Sequence, residues 1–442
     1  MINRKIMGRL EYMRACGGKA ALLIDGARQT GKTWLMKDFG RRCYEDTAYF
    51  NFDEDDGLKE LFRTTKDPFR LLELLGLIHE KRILPEKTLL VFDEVQECPE
   101  ALNSLKYFRE KAGEYHIMAA GSLLGTYLAE PKSYPVGQVD LLSLHPLSFA
   151  EFLQAVDPGL ATFRDGIHGE AAIPEIFHNR LLEACRLYLI IGEMPECVAS
   201  WIAYRDAGRI NAIQKNLLAL YENDFTKHNR KINAARILMV YRSIIPQLAK
   251  ENQKFSYGTV KPGARAREFE EAVEWLVSAG IANRIYNVSS PQYPLKSYAR
   301  QSHFKLFFLD TGLLKAMAEI DNEAIILRKD FSFRVVLAEN FVLQQFLSSS
   351  GASPYYYAPD SRHEIDLLLQ HNMEVLPVEI KAGTDKNAAS FKSYLSKYRP
   401  QNAIRYSERN FRRDGAFVNI PLYLAGRMDL LSRKDASQKE TR

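Results

Sequence analysis

The segment Gly26-Ala27-Arg28-Gln29-Thr30-Gly31-Lys32-Thr33 fits the pattern G-x-x-x-x-G-K-[ST] in full. An apolar run, Ala20–Asp25, leads into it, and a helical pattern continues from Trp34 to Phe39. Strand, glycine loop and helix in that order leave the chain little freedom. The glycines let the backbone wrap an anion with its N–H groups, and the helix points its positive end at the same place. The chemistry that needs such a cradle is phosphate binding. Lys32 can reach the β- and γ-phosphates of a nucleotide, the Thr33 hydroxyl can ligate Mg²⁺, and Gly26 to Trp34 form the expected binding segment. ATP and Mg²⁺ are the expected ligands.

A second apolar run, Leu89-Leu-Val-Phe-Asp93-Glu94, ends in two adjacent carboxylates. Asp93 stands where a P-loop enzyme keeps its Mg²⁺-holding acid, and Glu94 is placed to act as general base on the attacking water. The plainer reading is a solvated Asp-Glu turn. A third run, Ile117-Met-Ala-Ala-Gly121-Ser122, ends in a hydroxyl that either senses the γ-phosphate or closes an ordinary turn.

Across residues 20–150 short apolar runs alternate with helical patterns. Ala20–Asp25, Ala48–Phe52, Leu89–Asp93, Ile117–Ala120 and Val139–Leu144 read as buried strands. Lys32–Phe39, Leu71–Lys81 and Glu100–Lys111 read as helices. The pattern predicts an α/β fold with a parallel sheet. Residues 151–236 read as all-helical. In 237–320 a helical face (Phe269, Ala272, Val273, Leu276, Val277) ends at Gly280, followed by β-like runs at Ile281–Tyr286 and Phe304–Leu309. Helices followed by a hairpin give the order of a winged helix. Lys261, Arg265 and Arg267 in its helices, and Lys296, Arg300 and Lys305 in its wing, are candidate phosphate contacts. Glu268, Glu270, Glu271 and Glu274 follow at once, so a protein-contact module is the alternative.

Residues 330–432 mix helices and strands, and 433–442 are charged and apolar-poor, the composition of a disordered tail. Glu364–Leu369 and Glu374–Lys381 read as a hairpin turning at His371-Asn372, with a helix to follow at Ala388–Tyr398. Alternation puts Glu379 and Lys381 on one face, Asp366 begins the partner strand, and Glu339 lies on the preceding helix. Glu339, Asp366, Glu379 and Lys381 are similar in order to the PD-(D/E)XK nuclease constellation, in which carboxylates hold Mg²⁺ and a lysine positions water. An inherited fold that binds a partner, or a solvated charged face, explains the same residues without chemistry.

These motifs resemble the bacterial and archaeal AAA-type ATPases that carry a C-terminal domain of unknown function. The likeness rests on GARQTGKT (Gly26–Thr33) and DEVQECP (Asp93–Pro99), which are generic to P-loop enzymes. More specific are HPLSFAEFL (His145–Leu153), SIIPQLAKENQKFSY (Ser243–Tyr257), FKLFFLDTGLL (Phe304–Leu314), AEN (Ala338–Asn340) and VEIK (Val378–Lys381). The resemblance implies a P-loop ATPase core over 1–150, a helical lid, a winged helix and a C-terminal domain with a restriction-endonuclease-like fold. Two positions depart from that pattern: Gln138 stands where an arginine is expected, and Glu193 follows Gly192 in place of a second glycine. Arg28 remains as a candidate arginine finger.

At 442 residues the chain is long enough for two or three domains. A net charge of +5 does not by itself demand nucleic acid. Cys16, Cys43, Cys98, Cys185 and Cys197 show no paired spacing, against both a disulfide framework and a zinc site. No signal peptide or apolar run long enough to span a membrane is read, so the expected location is the cytoplasm. The expected activity is ATP hydrolysis coupled to a DNA or protein target, in a chain that forms a homo-oligomer. The alternatives are an ATP-regulated nuclease and a nucleotide-sensing switch with negligible turnover.

Overall fold

The computed structural model describes residues 2–15, 21–122, 124, 139–169, 171–227, 231–327, 331–360, 362–382, 389–414 and 417–430. Gln138, the tail 433–442 and Ala388 lie outside the described residues. The chain divides into two compact units. One is Asn3–His145 with Glu274–Ile281; the other is Met1–Ile2, Pro146–Val273 and Ala282–Arg442.

The first unit is built on five parallel strands, β1 (Ala21–Asp25), β2 (Asp46–Asn51), β3 (Thr88–Asp93), β4 (Ile117–Ala120) and β5 (Asp140–Ser143), in the order β2-β3-β4-β1-β5. The late strand β4 inserts between β1 and β3, which brings the segment after Ala120 beside the end of β3. β3 is buried along its whole length, so its two faces meet different cores. Leu90 and Phe92 join Phe50, Phe52, Phe62 and Phe108, with Phe62 edge-on to Phe92 at 5.6 Å between ring centroids. Leu89 and Val91 pack with Leu35, Met36 and Phe39 of the helix Lys32–Cys43. Strand alternation therefore sends Asp93 to the face that carries the phosphate-loop helix. The helices Ile6–Ala15 and Asp56–Thr64 have no counterpart in the sequence reading.

The second unit begins with helices Phe149–Val156, Pro158–Asp165, Glu175–Ile191, Pro195–Tyr204 and Ala207–Lys227. Ser148 and Glu151 form a capping box at the first of them. Beyond these lies an eight-stranded mixed sheet made of β6 (Ala282–Val288), β7 (Ala299–Phe308), β8 (Tyr355–Tyr357), β9 (Ile365–His371), β10 (Glu374–Ile380), β11 (Ile404–Ser407), β12 (Arg412–Asp414) and β13 (Phe417–Pro421). The order is β12-β13-β11-β10-β9-β8-β6-β7. β9 and β10 form the expected hairpin, with Asn372 and Met373 both at positive φ in its two-residue turn. The antiparallel pair β6–β7 lies where the wing was read, and β6 also pairs in parallel with β8. β6 and β7 and the C-terminal strands thus belong to one sheet. No helix among the described residues is long and apolar enough to cross a membrane.

Candidate functional sites

In the first unit the carboxyl ends of β1 and β3 converge on the loop Gly26–Thr33. A parallel sheet opens its ligand crevice at this end. Gly26 has φ 155° and its backbone runs so close to Leu144 that a Cβ there would lie 2.4 Å from the Leu144 carbonyl oxygen. Gly31, at φ 93°, caps the helix Lys32–Cys43. Thr30 closes the loop internally, its hydroxyl donating to the Ala27 carbonyl at 3.0 Å. Gln29 is exposed at φ 63°, Arg28 is half-buried, and Trp34, the third residue of the helix, is exposed.

Lys32 is buried, and its ammonium donates to the carbonyls of Gly26 at 2.8 Å and Ala27 at 2.9 Å. Burial lowers its pKa to about 8, against the pull of Glu94, Asp25 and Asp93. The Thr33 hydroxyl donates to Asp93 Oδ2 at 2.6 Å. The last residue of the glycine motif and the acid at the end of β3 therefore meet, as the two protein ligands of a nucleotide-bound Mg²⁺ must. These donors fit the ion: a hydroxyl and a carboxylate are oxygen ligands suited to a hard cation.

Tyr49, Lys37, Gln96 and Arg4, which the sequence did not single out, also shape this site. The Tyr49 hydroxyl also donates to Asp93 Oδ2, at 3.0 Å, and Lys37 sits over the Tyr49 ring at 3.6 Å. Burial and the Asp93 carboxylate push the phenol up from its ordinary value, which keeps it a donor. Glu94 has left-handed backbone, φ 50°, and its carboxylate accepts from Gln96 Nε2 at 2.7 Å, Ser122 Oγ at 3.2 Å and Ser122 N at 3.4 Å. Gly121 leaves room for this: a Cβ there would lie 2.1 Å from Gln96 Oε1. Arg4 is buried and ties the loop to the segment after β5, donating to Thr30 O at 2.9 Å and His145 O at 2.6 Å.

In the second unit the side chains of Glu339, Asp366, Glu379 and Lys381 form one electrostatic cluster. Asp366 interacts with Glu339, Glu379 and Lys381. Asp366 Oδ2 accepts from Ile380 N at 2.6 Å, and Lys381 pairs with Glu379 at 2.8 Å. Two residues outside the predicted set belong to the cluster. Lys305 donates to the Glu364 carboxylate and, at 3.1 Å, to Gln253 Oε1. The wing reading of Lys305 is thereby corrected. In β7 it stands opposite Ile285, is 1% exposed and points into acids, so it cannot meet a phosphate. Lys261, Arg265, Arg267, Lys296 and Arg300 are exposed. Burial raises the Glu339 carboxyl to about 8; Lys305 restrains the rise, and Asp366 and Glu364 add to it. Burial and Asp366 likewise raise Glu379 to about 7, against Lys381. These residues do not fit a catalytic divalent ion, because an ammonium lies among the acids and Glu379 is already paired. Among the described residues no group of three or more His, Cys, Asp or Glu side chains is arranged to hold a metal.

Glu193, the departure from Gly-Gly, is buried beside Asp310. Its backbone N–H donates to Asp310 Oδ2 at 2.6 Å, and its carboxylate accepts from Thr311 N.

The parallel sheet, the glycine loop and the acids at the end of β3 define an AAA-type P-loop ATPase domain. Residues 18–153 match the AAA domain family, residues 182–324 the Domain of unknown function (DUF8612), and residues 336–424 the Domain of unknown function (DUF4143). No curated protein matches the chain in sequence. Among solved structures, a Walker-type ATPase of Pyrococcus abyssi is similar at 14% identity and TM-score 0.48, over 72% of this chain and 96% of that one. Cdc6p from Pyrobaculum aerophilum is similar at 12% identity and TM-score 0.26, over 74% and 96%. Drosophila ORC, determined bound to DNA, is similar at 14% identity and TM-score 0.27, over 68% and 91%. With every score below 0.5, the ATPase assignment rests on the domain match and the chain's own residues.

Proposed function

We propose that this chain is an ATP-driven conformational machine of the cytoplasm, working as a homo-oligomer on a DNA or protein target. The observation that carries the reading is the 2.6 Å hydrogen bond from Thr33 to Asp93 Oδ2, which joins the phosphate loop to the acid at the end of β3. In this reading Gly26 to Trp34 bind the nucleotide, Lys32 leaves the Gly26 and Ala27 carbonyls for the β- and γ-phosphates, and Thr33 and Asp93 hold Mg²⁺. The ion, when bound, offsets charge on the phosphates. Glu94 orients the attacking water as general base, and Ser122 fixes Glu94. A helical lid, a winged helix and the eight-stranded sheet with its nuclease-like order would transmit the cycle to the target.

A second reading, a nucleotide-sensing switch with negligible turnover, is favoured by the grip of Gln96 and Ser122 on the Glu94 carboxylate. An ATP-regulated nuclease has less support, because Lys305 lies inside the acid cluster it would use.

Calorimetry and steady-state turnover test the assignment together. Lys32→Ala should abolish ATP binding while the chain stays folded. Glu94→Gln should retain ATP and slow turnover by about 10²-fold or more. Unchanged ATP binding in Lys32→Ala would sink the nucleotide site. Tight ATP binding with no measurable turnover in the unaltered chain, with or without DNA and across protein concentration, would select the switch.

A further inference from the structure

We propose that the Lys305 ammonium is a tethered counter-ion standing where a PD-(D/E)XK nuclease keeps its divalent cation, so that the Glu339–Glu364–Asp366 cluster binds no catalytic metal. The inference is independent of the nucleotide site and starts from the surroundings of Lys305.

The ammonium is enclosed on every side that the structure describes. It donates to the Glu364 carboxylate, donates to Gln253 Oε1 at 3.1 Å, and faces the Tyr356 ring at 5.2 Å. Glu339 and Asp366 are the next charges around it. At 1% exposure it touches no solvent groove, which separates it from a catalytic lysine that must reach a substrate phosphate or water.

The acids are arranged for this cation. Magnesium asks for six oxygens at about 2.0–2.1 Å in near-octahedral order, several of them waters. Asp366 spends Oδ2 on the Ile380 N–H and keeps only Oδ1 for a cation, and Glu379 is ion-paired with Lys381, so while Lys305 is in place the acids fall short of such a shell. An ammonium has three donors and one charge, and three polar neighbours suffice. Two are Glu364 and Gln253. Glu339 is 7% exposed with its Oε2 buried and without a hydrogen-bond partner, an acceptor left over inside the cluster. A divalent ion beside the acids would meet a buried positive charge that cannot leave, since the strand register that pairs Lys305 with Ile285 fixes it. Four carboxylates against the two ammoniums of Lys305 and Lys381 still leave the cluster rich in oxygen. Removing the Lys305 charge should therefore turn it into an ion site.

The test uses the full chain without nucleotide and reads bound Mn²⁺ from the loss of the free-ion electron paramagnetic resonance signal. The unaltered chain and Asp366→Asn should bind alike up to about 1 mM Mn²⁺, the weak end of protein cation sites. Lys305→Met should gain one bound Mn²⁺ per chain, and adding Asp366→Asn to it should remove that ion. Lys305→Gln serves where Lys305→Met does not fold. Asp366-dependent Mn²⁺ binding by the unaltered chain would overturn the proposal. So would a folded Lys305 variant that gains no ion, because the acids would then not be arranged around a cation position. Where neither variant folds, the comparison of the unaltered chain with Asp366→Asn decides alone: equal binding supports the proposal and unequal binding overturns it.

Discussion

Tyr49 and Thr33 place their hydroxyl hydrogens on the same oxygen of Asp93, Oδ2, from β2 and from the phosphate-loop helix respectively. A carboxylate held from two sides is oriented before any ion arrives. Tyr49→Phe removes one of the two donors and almost no volume. A hydrogen bond to a charged group contributes about 1.5–3 kcal/mol, so Mg-ATP affinity should fall by about tenfold or more. ATP affinity measured without Mg²⁺ should stay where it was. Equal losses with and without Mg²⁺ would show that Tyr49 acts through packing.

Gln96 donates to Glu94 Oε2 at 2.7 Å, the shortest of the three contacts on that carboxylate. Gln96→Ala should free the carboxylate and raise ATP turnover severalfold at unchanged ATP affinity. A fall in turnover would mean that Gln96 aims the base and does not restrain it.

Arg4 supplies the buried carbonyl of Thr30 and the half-buried carbonyl of His145 with donors. Arg4→Met keeps the length of the side chain and takes a donor from both oxygens, at about 1–3 kcal/mol for the buried one of Thr30. The melting temperature of the chain should drop by several degrees, and saturating ATP should recover part of the loss by mass action. A melting curve that does not move would show that the two carbonyls find other donors.

Much of the first unit was legible because buried parallel strands read as unbroken apolar runs, as in Leu89–Phe92, and because the glycine motif has a fixed local geometry. Tyr49 was within reach of the same reasoning. β2 pairs with β3 so that Tyr49 faces Val91 and Asn51 faces Asp93, and period-2 alternation puts Tyr49 on the face of the acid. The helix Asp56–Thr64 was also signalled, by the cap Asp55 and by Leu58 and Phe62 one turn apart. Arg4 was not legible: its partners lie 26 and 141 residues away, and nothing local marks it. Lys305 was misread for a physical reason. A lysine in a strand argues for a solvated face, and only the fold reveals that Glu364, sent by another strand end 59 residues on, waits inside.

The acids around Lys305 also make stability depend on pH. Glu339 has an ordinary value of 4.5 and is raised to about 8 by burial, with Lys305, Glu364, Asp366 and Gln253 facing it. Between these values the native state holds a proton that the unfolded chain has released. The stabilisation is complete below pH 4.5 and is lost as pH rises through 8. Glu339→Gln keeps the amide neutral and removes this dependence. The difference in melting temperature between Glu339→Gln and the unaltered chain should shift in favour of the variant from pH 5 to about pH 8.5. A difference that stays constant over that range would place the ionisation elsewhere.

The parallel pairing of Tyr286 and Asn287 with Tyr355 and Tyr356 joins strands separated by almost seventy residues of chain. A polypeptide cut between residues 320 and 330 would therefore lose more than a neighbour. The fragment starting after the cut would carry β8 as a bare edge, with the Tyr355-Tyr356-Tyr357 backbone groups facing water and the aromatic side chains uncovered. Such an edge recruits any strand available, so that fragment should self-associate through it. Addition of a peptide matching Ala282–Phe308 in trans should suppress that association. Whatever tasks the two stretches perform, they were committed to each other by a shared ladder of hydrogen bonds, and a rearrangement that swapped one for a foreign module would have to bring its own strand to the seam.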